Sequence, residues 1–345
     1  MRIMFGTFSA STVLGGGVRV QISSLARELR KLGVEVEMFD PWREYDLKQF
    51  DFFHLFGAHV GTYHLGRAMN SLGMKLVLSP VFYSRRSASQ VAALLSVARR
   101  LRKRGGFWTE HMFCKELCDM ASLILPDTQA EAEMIAQAFS VPSGKIGLLP
   151  NGVDERFSEA KPDEFVNRYG LSGFVLYTGH IGWGRKNVLP LLIAARNLER
   201  PVVLIGELID NEYGRKCLGI IEQSSNITHI PALAPDSSLL ASAYAACDTF
   251  VLPSYYETPG LSALEAGLAG AKVCITKHGG TTEYFGQHAT YLEPSSERSI
   301  SEALLESLAK PKTPELREHI LGHFLWGEAA RQLKGEYEKL AAVRP

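Results

Sequence analysis

The chain has 345 residues, a formal net charge of zero, 46% hydrophobic residues and 21% charged residues. This length is too great for one compact core and favours two domains, and the composition is typical of a globular protein. It lacks an apolar run of about 18 residues, so no transmembrane helix is expected. The N-terminus has the pattern of a first strand rather than a signal peptide. Five cysteines without a C-x-x-C pair indicate free thiols in a reducing cytoplasm.

The first half alternates apolar strands with amphipathic helices. "RIMFGTF" predicts a strand, and a glycine loop at 15–17 leads into a helix whose buried face includes Ile22, Leu25 and Leu29. Further strands are predicted at "VEVEMFD", "FDFFHLFG", "MKLVLSP" and "ASLILPDT". The helix "QAEAEMIAQAF" is expected to be capped by Asp127 or Thr128. Continuous apolar strands joined by helices predict a parallel, doubly wound α/β sheet.

The second half repeats this scheme. Strands are predicted at "GFVLYTGH", "PVVLIGEL", "ITHIPAL", "TFVLPS" and "KVCITK", and only helices are expected after the last of them. The polar stretch 154–165 is the expected break, so we predict one domain over 1–160 and a second over 161–325. Two Rossmann-like domains would face a cleft, and ligands of such sheets bind beyond the carboxyl ends of the strands.

Two loops at predicted strand ends could hold an anion. The glycines in "STVLGGGVRV" allow close backbone approach, and the following helix offers its N-terminus. In "YTGHIGWGRKNVL", the side chains of His180, Arg185 and Lys186 gather before a helix, which suits a diphosphate. The alternatives are a turn without a ligand in the first loop and ordinary exposed bases in the second.

A third loop, "PSYYETPGLSALEAG", carries two acids. Glu257 lies in the loop and Glu265 on the predicted helix, whose start at Gly260 has unpaired backbone amides. Two carboxylates at the ends of an anion site can accept hydrogen bonds from a sugar and a ribose on either side of a diphosphate. An acid/base pair of the glycosidase type and a solvated helix face remain as alternatives.

With its two acids eight positions apart after "LPS", the segment resembles the E-x7-E motif of the retaining GT-B glycosyltransferases of family four. The similarity extends along most of the chain, through "GGGVRVQISSLARELRKLGVEVEMF", "LLPNGVD", "GRKNVLPLLIAA" and "GGTTEYFG". "WGEAARQLKGEYEKL" resembles the family's C-terminal helix, which implies that residues 326–345 cross back to the first domain. Each motif alone is a weak match to the family, but their occurrence in this order is specific.

The resemblance implies a role for each matching residue. Glu257 would bind the donor sugar, Glu265 the ribose, and Lys186 the diphosphate. The backbone amides of Gly260 and Leu261 would assist. Gly16 and Gly17 would approach the donor from the first domain. It further implies a UDP- or GDP-sugar donor, a glycan or lipid-linked acceptor in the cell envelope, and retention of the anomeric configuration. The chain contains no D-x-D, so no metal is expected at the diphosphate, and neither a cofactor nor a nucleic-acid partner is expected.

This chain departs from the family at two positions. Gly179-His180 stands where members have Gly-Arg, so the second phosphate cation is missing unless Arg185 replaces it. Pro80 follows the strand "LVLS" where members often have a histidine, which His59, His64 or His111 could replace. These departures leave two other functions open, a nucleotide-sugar-binding subunit or sensor without catalysis and a nucleotide-sugar epimerase on the same fold. A phosphorylase is a further alternative. A nicotinamide oxidoreductase is disfavoured because G-x-G-x-x-G is absent.

A long stretch of the first half is basic. No acid occurs between Asp51 and Glu110, and residues 91–104 predict a helix with an apolar side formed by Val91, Leu94, Leu95, Ala98 and Leu101. Five bases lie at its end, namely Arg99, Arg100, Arg102, Lys103 and Arg104. This pattern favours peripheral attachment to the anionic inner face of a membrane, near an acceptor site. The alternative is that the apolar side packs into the core of the first domain.

Overall fold

A computed structural model of the chain describes residues 1–14, 16–106 and 108–342, and leaves the side chains of Leu14, Lys103 and Arg104 undescribed. The chain divides into two compact units. The first comprises Met1–Gly152 and the segment that begins at Trp326, and the second comprises Val153–Leu325. No helix in the described ranges has the length and apolar character of a bilayer-spanning segment.

The first unit is built on a five-stranded parallel sheet. Its strands are β1 (Arg2–Gly6), β2 (Glu35–Met38), β3 (Phe52–Phe56), β4 (Leu76–Ser79) and β5 (Leu123–Ile124), in the order β2-β1-β3-β4-β5. Its helices up to the division are α1 (Ser11–Leu14), α2 (Gly17–Lys31), α3 (Val60–Ser71), α4 (Ala88–Gly105), α5 (Glu110–Met120) and α6 (Gln129–Phe139). The side chain of Thr128 caps α6 by accepting a hydrogen bond from the amide of Glu131, in agreement with one of the two predicted caps.

The second unit is built on a six-stranded parallel sheet. Its strands are β6 (Val175–Thr178), β7 (Val202–Ile205), β8 (Ile227–Ile230), β9 (Thr249–Leu252), β10 (Lys272–Thr276) and β11 (Thr290–Leu292), in the order β11-β10-β9-β6-β7-β8. Its helices are α7 (Asp163–Tyr169), α8 (Val188–Ala195), α9 (Glu212–Gln223), α10 (Ser238–Ala246), α11 (Leu261–Leu268), α12 (Thr281–Phe285), α13 (Glu297–Ala309) and α14 (Glu315–His323). The four residues of each of β7 and β9 are buried, as their apolar sequences predict.

The last helix, α15 (Trp326–Ala342), belongs to the first unit and packs against α2. Its buried side includes Ala330, Leu333 and Tyr337, which recur at helical spacing. The hydroxyl of Tyr337 lies 2.6 Å from Nδ1 of the buried His54 in β3. Apolar burial and this hydrogen bond together attach the C-terminal helix to the N-terminal sheet.

The parallel, doubly wound α/β architecture predicted from the sequence is confirmed. Some elements were not predicted. The expectation that only helices follow β10 was wrong, because the three residues of β11 extend the sheet at its edge. Helices α5 and α9 were also missed, although α9 buries Cys217 and Ile221 at a spacing of four. Such short or glycine-containing elements are stabilised mainly by tertiary packing.

The strand order of the second unit determines where a ligand can bind. Counted from β6, the order corresponds to the 3-2-1-4-5-6 arrangement of dinucleotide-binding sheets. The direction in which successive strands are added to the sheet reverses between β6 and β9, which lie side by side. Loops at the carboxyl ends of the two strands diverge at such a point and leave a crevice. The segments that follow Thr178 and Leu252 are therefore the expected ligand-binding loops of this unit.

Candidate functional site

The loop after β6 is held in place by buried backbone and side-chain contacts. A Cβ atom on Gly206 would lie 1.9 Å from the carbonyl oxygen of Gly179, so the two loops can approach this closely only with glycine at 206. The loop ends in a 3-10 turn, Gly184–Lys186, and then in Asn187, whose φ of 55° is left-handed. The side-chain amide of Asn187 is buried and donates hydrogen bonds to the carbonyl oxygens of Pro253, at 3.1 Å, and Pro294, at 2.7 Å. Asn187 thus joins the β6 loop to the chain just after β9.

The loop after β9 is held by the segment that follows β10. The amide of Glu257 donates to the carbonyl oxygen of His278 at 3.1 Å, and the amide of Gly280 donates to the carbonyl oxygen of Glu257 at 2.9 Å. Gly279 between them has a φ of 95°, and a Cβ there would lie 2.0 Å from the carbonyl oxygen of Glu257. The glycine pair in "GGTTEYFG" therefore has a structural reason: it clamps the backbone that carries Glu257.

These contacts bring three predicted site residues together. Nζ of Lys186 lies 2.6 Å from Oε1 of Glu257, and Nη1 of Arg185 lies 3.6 Å from the same oxygen. Arg185 also donates to the carbonyl oxygen of Tyr256 at 3.0 Å and lies over its ring. The side chains of Lys186 and Glu257 are mostly buried, whereas that of Arg185 is 39% exposed. The site therefore contains one carboxylate beside two cations, one of which is accessible.

The Glu257 carboxyl is ionised at neutral pH. Burial raises its pKa, but the charges of Lys186 and Arg185 outweigh burial and hold the pKa below its ordinary value. An ionised carboxylate accepts hydrogen bonds and cannot donate one. Glu257 is therefore suited to bind hydroxyl groups, and its position beside the cations suits a ligand with hydroxyls next to an anion.

Glu265 has the opposite electrostatic environment. It lies on α11, which begins after Gly260, a residue with a φ of 78° and no side-chain cap hydrogen bond. Its Oε2 accepts a hydrogen bond from the hydroxyl of Tyr244 at 2.9 Å, and that hydroxyl is 3.1 Å from Oγ1 of Thr178 at the end of β6. Burial raises the pKa of Glu265 to about 7, against the lowering effects of the Tyr244 hydrogen bond and the Arg156 charge. Its carboxyl consequently gains and loses a proton near neutral pH.

His180 does not act as a fixed cation. Its ring stacks on that of Trp183, with centroids 4.0 Å apart and planes 9° apart. Nε2 lies 3.8 Å from a carboxylate oxygen of Glu207. Burial lowers the pKa of His180, and the Glu207 charge only partly opposes this. The imidazole is therefore mostly neutral at pH 7 and supplies little positive charge where the family pattern has arginine.

The remaining predicted residues lie in the first unit. Gly16 is exposed, has a φ of 100° and is the N-cap residue of α2, whose first residue is Gly17. His59 caps α3, since its Nδ1 accepts a hydrogen bond from the amide of Gly61 at 3.1 Å. Both features lie at the carboxyl ends of β1 and β3.

The basic residues of α4 have different environments. Arg99 and Arg100 are exposed, whereas Arg102 forms an ion pair with Glu116 of α5 and stacks on Trp108 at 3.7 Å. The side chains of Lys103 and Arg104 lie outside the described residues. The predicted apolar side needs correction: Val91, Leu95 and Ala98 are buried in the core of the first unit, while Leu101 is 46% exposed.

Two supporting residues of the site were not predicted, namely Tyr244 and Asn187. Tyr244 had no signal within the helix "SSLLASAYAA", and Asn187 follows Lys186 directly but resembles an ordinary helix start. Nε2 of His319 on α14 donates a hydrogen bond to the carbonyl oxygen of Tyr284 at 2.9 Å. Within the described ranges, no group of three His, Cys, Asp or Glu residues is arranged to hold a metal ion.

Comparison with known proteins relates the second unit to one family. Residues 166–320 match the family described as glycosyl transferases group 1. A D-inositol 3-phosphate glycosyltransferase of Pseudarthrobacter chlorophenolicus is 29% identical over 177 residues, which cover 48% of this chain and 41% of that protein. The chain spans about half of the length of the curated relatives that it matches.

Solved structures extend the similarity to both units. A sucrose-phosphate synthase from Thermosynechococcus elongatus aligns with a TM-score of 0.75 and 18% identity over 99% of this chain and 100% of that one. HepE from Anabaena, in complex with UDP and glucose, aligns with a TM-score of 0.69 and 16% identity over 98% and 100% of the two chains. The chain therefore has the GT-B fold of these structures, and its residues 166–320 are similar to the glycosyl transferases group 1 family.

Proposed function

We propose that the protein is a retaining glycosyltransferase that moves a hexose from a nucleotide-diphosphate sugar to an acceptor. The observation that carries the proposal is the contact of Lys186 and Arg185 with Glu257 beside the switch point of the second sheet. Cations bind a diphosphate, and hydrogen-bond acceptors bind the hydroxyls of a sugar. Lys186, Arg185 and Glu257 provide both kinds of group within one small cluster. The family match over the same residues supports this assignment.

In this proposal the two cations bind the diphosphate. Lys186 is already oriented by Glu257, and Arg185 is the more exposed of the two, so Arg185 takes the place of the missing second phosphate cation. The amides of Gly260 and Leu261 at the start of α11 add a partial positive charge. As the glycosidic bond breaks, negative charge grows on the diphosphate, and these fixed groups stabilise it in the transition state.

The two glutamates bind the hydroxyl groups at either end of the donor. Glu257 accepts hydrogen bonds from the transferred sugar, and its ionised state favours this role. Glu265 accepts hydrogen bonds from the ribose. The hydroxyl of Tyr244, which donates to Oε2 of Glu265, holds the carboxylate in position. Retention follows from the resemblance to the E-x7-E enzymes, in which a donor phosphate oxygen is thought to help deprotonate the acceptor. The acceptor proposed is a glycan or lipid-linked glycan of the cell envelope.

A uridine nucleotide is the first donor to test, because one neighbour of the same fold was solved with UDP and glucose. The initial measurement is calorimetric titration of UDP, GDP and their sugar conjugates. Lys186→Ala should weaken binding of the diphosphate and of its sugar conjugate alike, because both contain the diphosphate. Glu257→Gln should spare the plain diphosphate and reduce turnover roughly ten- to a hundredfold, the value of a hydrogen bond to a charged group.

Lys272→Ala is a matched control for the lysine variant. Lys272 is similarly buried and pairs with Asp248 at 2.9 Å, but it lies at the first residue of β10, at the opposite edge of the sheet. It should change stability without changing donor affinity. If Lys186→Ala and Glu257→Gln weaken the plain diphosphate equally, the site has been assigned incorrectly.

One observation favours a second function, a nucleotide-sugar-binding subunit or sensor that does not transfer. The stacked and mostly neutral His180 leaves the diphosphate with less charge compensation than the family pattern provides. The two functions differ in turnover: release of nucleoside diphosphate that requires an acceptor supports transfer. Tight donor binding without release across glycan and lipid-linked acceptors supports the sensor. An epimerase would convert the donor sugar without any acceptor, and chromatography of the recovered nucleotide sugar detects this.

A further inference from the structure

His278 lies between β10 and the glycine pair that holds Glu257. Its backbone carbonyl oxygen accepts a hydrogen bond from the amide of Glu257 at 3.1 Å. Its side-chain Nε2 lies 2.9 Å from Oε2 of Glu293, the residue that follows β11. His278 therefore contacts the backbone of one site glutamate and the carboxylate of a second glutamate outside the site.

The charge state of Glu293 fixes the direction of its contact with His278. The hydroxyl and the amide of Ser295 donate to Oε1 of Glu293, at 2.7 and 3.4 Å. Hydrogen bonds from Ser295 and from His278 outweigh the effect of burial and lower the pKa of Glu293 to about 2. An ionised carboxylate only accepts hydrogen bonds, so Nε2 of His278 carries a proton and donates.

The next residue, Pro294, connects Glu293 to the loop after β6. Its carbonyl oxygen accepts a hydrogen bond at 2.7 Å from the buried side-chain amide of Asn187. Asn187 directly follows Lys186, whose Nζ lies 2.6 Å from Oε1 of Glu257. The series of contacts that leaves Glu257 through His278 thus returns to Glu257 through Lys186.

These contacts form a closed ring through the candidate donor site. Its members, which we call the donor-site ring, are Lys186, Asn187, Glu257, His278, Glu293 and Pro294. They come from the segments that follow β6, β9, β10 and β11. The side chains of His278 and Glu293 are 38% and 33% exposed, whereas Asn187 is buried. Their partly exposed contact can open while the buried contacts of the ring stay intact.

We propose that His278 and Glu293 are positioning residues that fix Glu257 for recognition of the donor sugar. The inference rests on the proposed function, because it takes Glu257 as the sugar-binding residue. His278 holds the backbone of Glu257, and Lys186 sets the direction of its carboxylate from the other side of the ring. A carboxylate that is already ordered binds hydroxyls without a further entropic cost. Opening of the contact should therefore affect ligands that contain the sugar and spare those that end at the diphosphate.

Calorimetry of the full chain with paired ligands tests the proposal. The pairs are UDP with UDP-glucose and GDP with GDP-mannose, and the variants are titrated with the pair that wild type binds. His278→Asn, whose amide takes the place of Nδ1 and not of Nε2, should bind the nucleotide sugar about three- to tenfold more weakly and the plain diphosphate normally. His278→Gln, whose amide nitrogen takes the place of Nε2, should recover most of the affinity.

Double variants show whether the residues act through one another. Glu293→Gln should also weaken binding of the nucleotide sugar, and its combination with His278→Asn should be no weaker than the single variants. In the Glu257→Gln background, His278→Asn should have little further effect, because the group that it positions has already been changed. Additive losses in either combination would contradict the proposal.

Hydrogen exchange provides a measurement without a ligand. The amide of Glu257 donates to the carbonyl oxygen of His278, and the amide of Gly280 donates to that of Glu257. In His278→Asn both amides should exchange at least about threefold faster, since the contact that holds this segment is lost. In His278→Gln they should exchange as in wild type.

Lys277→Ala is the matched control. Its Nζ lies 3.5 Å from the same oxygen of Glu293, but its side chain is 54% exposed, and exposed pairs of this kind contribute little. This variant should bind both ligands as wild type does. If wild type binds none of the four ligands, the proposed function fails and the inference with it. If wild type binds and His278→Asn has normal affinity or normal exchange, the inference alone is refuted. Equal weakening of both ligands, or no recovery with glutamine, would show that His278 supports the loop without positioning Glu257.

Discussion

Glu265 offers a test of the donor site through pH alone. Its pKa is raised to about 7 by burial, so the carboxyl is about half protonated at neutral pH. If the ionised form accepts the ribose hydroxyls, donor binding requires loss of that proton. Affinity should then rise with pH and level off above about 7. At about pH 5.5 only about 3% of Glu265 is ionised, so binding should be about 30-fold weaker than on the plateau.

Calorimetry with a nucleotide sugar is the appropriate assay. Each phosphate of this ligand carries one ester bond and one anhydride bond, so it lacks the phosphate proton that titrates near pH 6 in a monoester. Glu265→Gln should bind more weakly than wild type at high pH and lose most of the pH dependence. Glu302→Gln, an exposed glutamate on α13, is the control and should keep the wild-type profile. A flat profile in wild type, or an unchanged slope in Glu265→Gln, would refute the assignment.

Stability should change with pH in the opposite direction. Folding raises the pKa of Glu265 from 4.5 to about 7, so the native state binds more protons than the unfolded state between these values. Its contribution is therefore present below pH 4.5 and is lost as pH rises toward 7, by up to roughly 3 kcal/mol. Denaturant titrations of wild type and Glu265→Gln at several pH values measure the difference. A parallel response of the two proteins would mean that Glu265 is not the titrating group.

Substitutions at three further positions test the site and its supports. Asn187→Ala should lower the free energy of unfolding by about 3 kcal/mol and Asn187→Gly by about 2 kcal/mol. Both variants lose two buried hydrogen bonds, but glycine tolerates the left-handed backbone at this position. Urea denaturation measures both values, and a smaller loss for alanine than for glycine would contradict the prediction. Gly279→Ala should weaken nucleotide-sugar binding at least about tenfold, because the new Cβ meets the carbonyl oxygen of Glu257. Gly322→Ala is the control: its Cβ would have no heavy atom within 4 Å, so this variant should bind normally in the same titration. His180→Arg should tighten nucleoside-diphosphate binding about tenfold by adding a charged hydrogen bond; unchanged affinity would show that position 180 does not reach the phosphates.

Much of the fold is predictable from local pattern. Continuous apolar strands such as "TFVLPS" and "PVVLIGEL" can be buried on both faces only in a parallel sheet covered by helices, and the structure has this arrangement. The failures have different causes. The short strand β11 lacks a strong signal of its own and is stabilised by pairing at the edge of the sheet. Helix α9 was missed although Cys217 and Ile221 recur at helical spacing and Asn211 caps its start. The mistaken assignment of the α4 faces arose because an apolar stripe does not reveal whether its partner is a core or a membrane.

The candidate site likewise has one part that the sequence predicts and another that depends on tertiary structure. Residue type and loop position predict Lys186, Glu257 and Glu265 as ligand-binding residues, because glycines, bases and acids follow buried strands. Their electrostatic roles depend on tertiary structure. Lys186 and Glu257 are 71 positions apart in the chain, and they meet because β6 and β9 are neighbours in the sheet. Glu257 and Glu265 are the same amino acid eight positions apart, yet one lies beside two cations and the other beside the hydroxyl of Tyr244. Proximity in a folded chain sets the pKa of a carboxyl, and the strand order that creates this proximity is a property of the whole sheet.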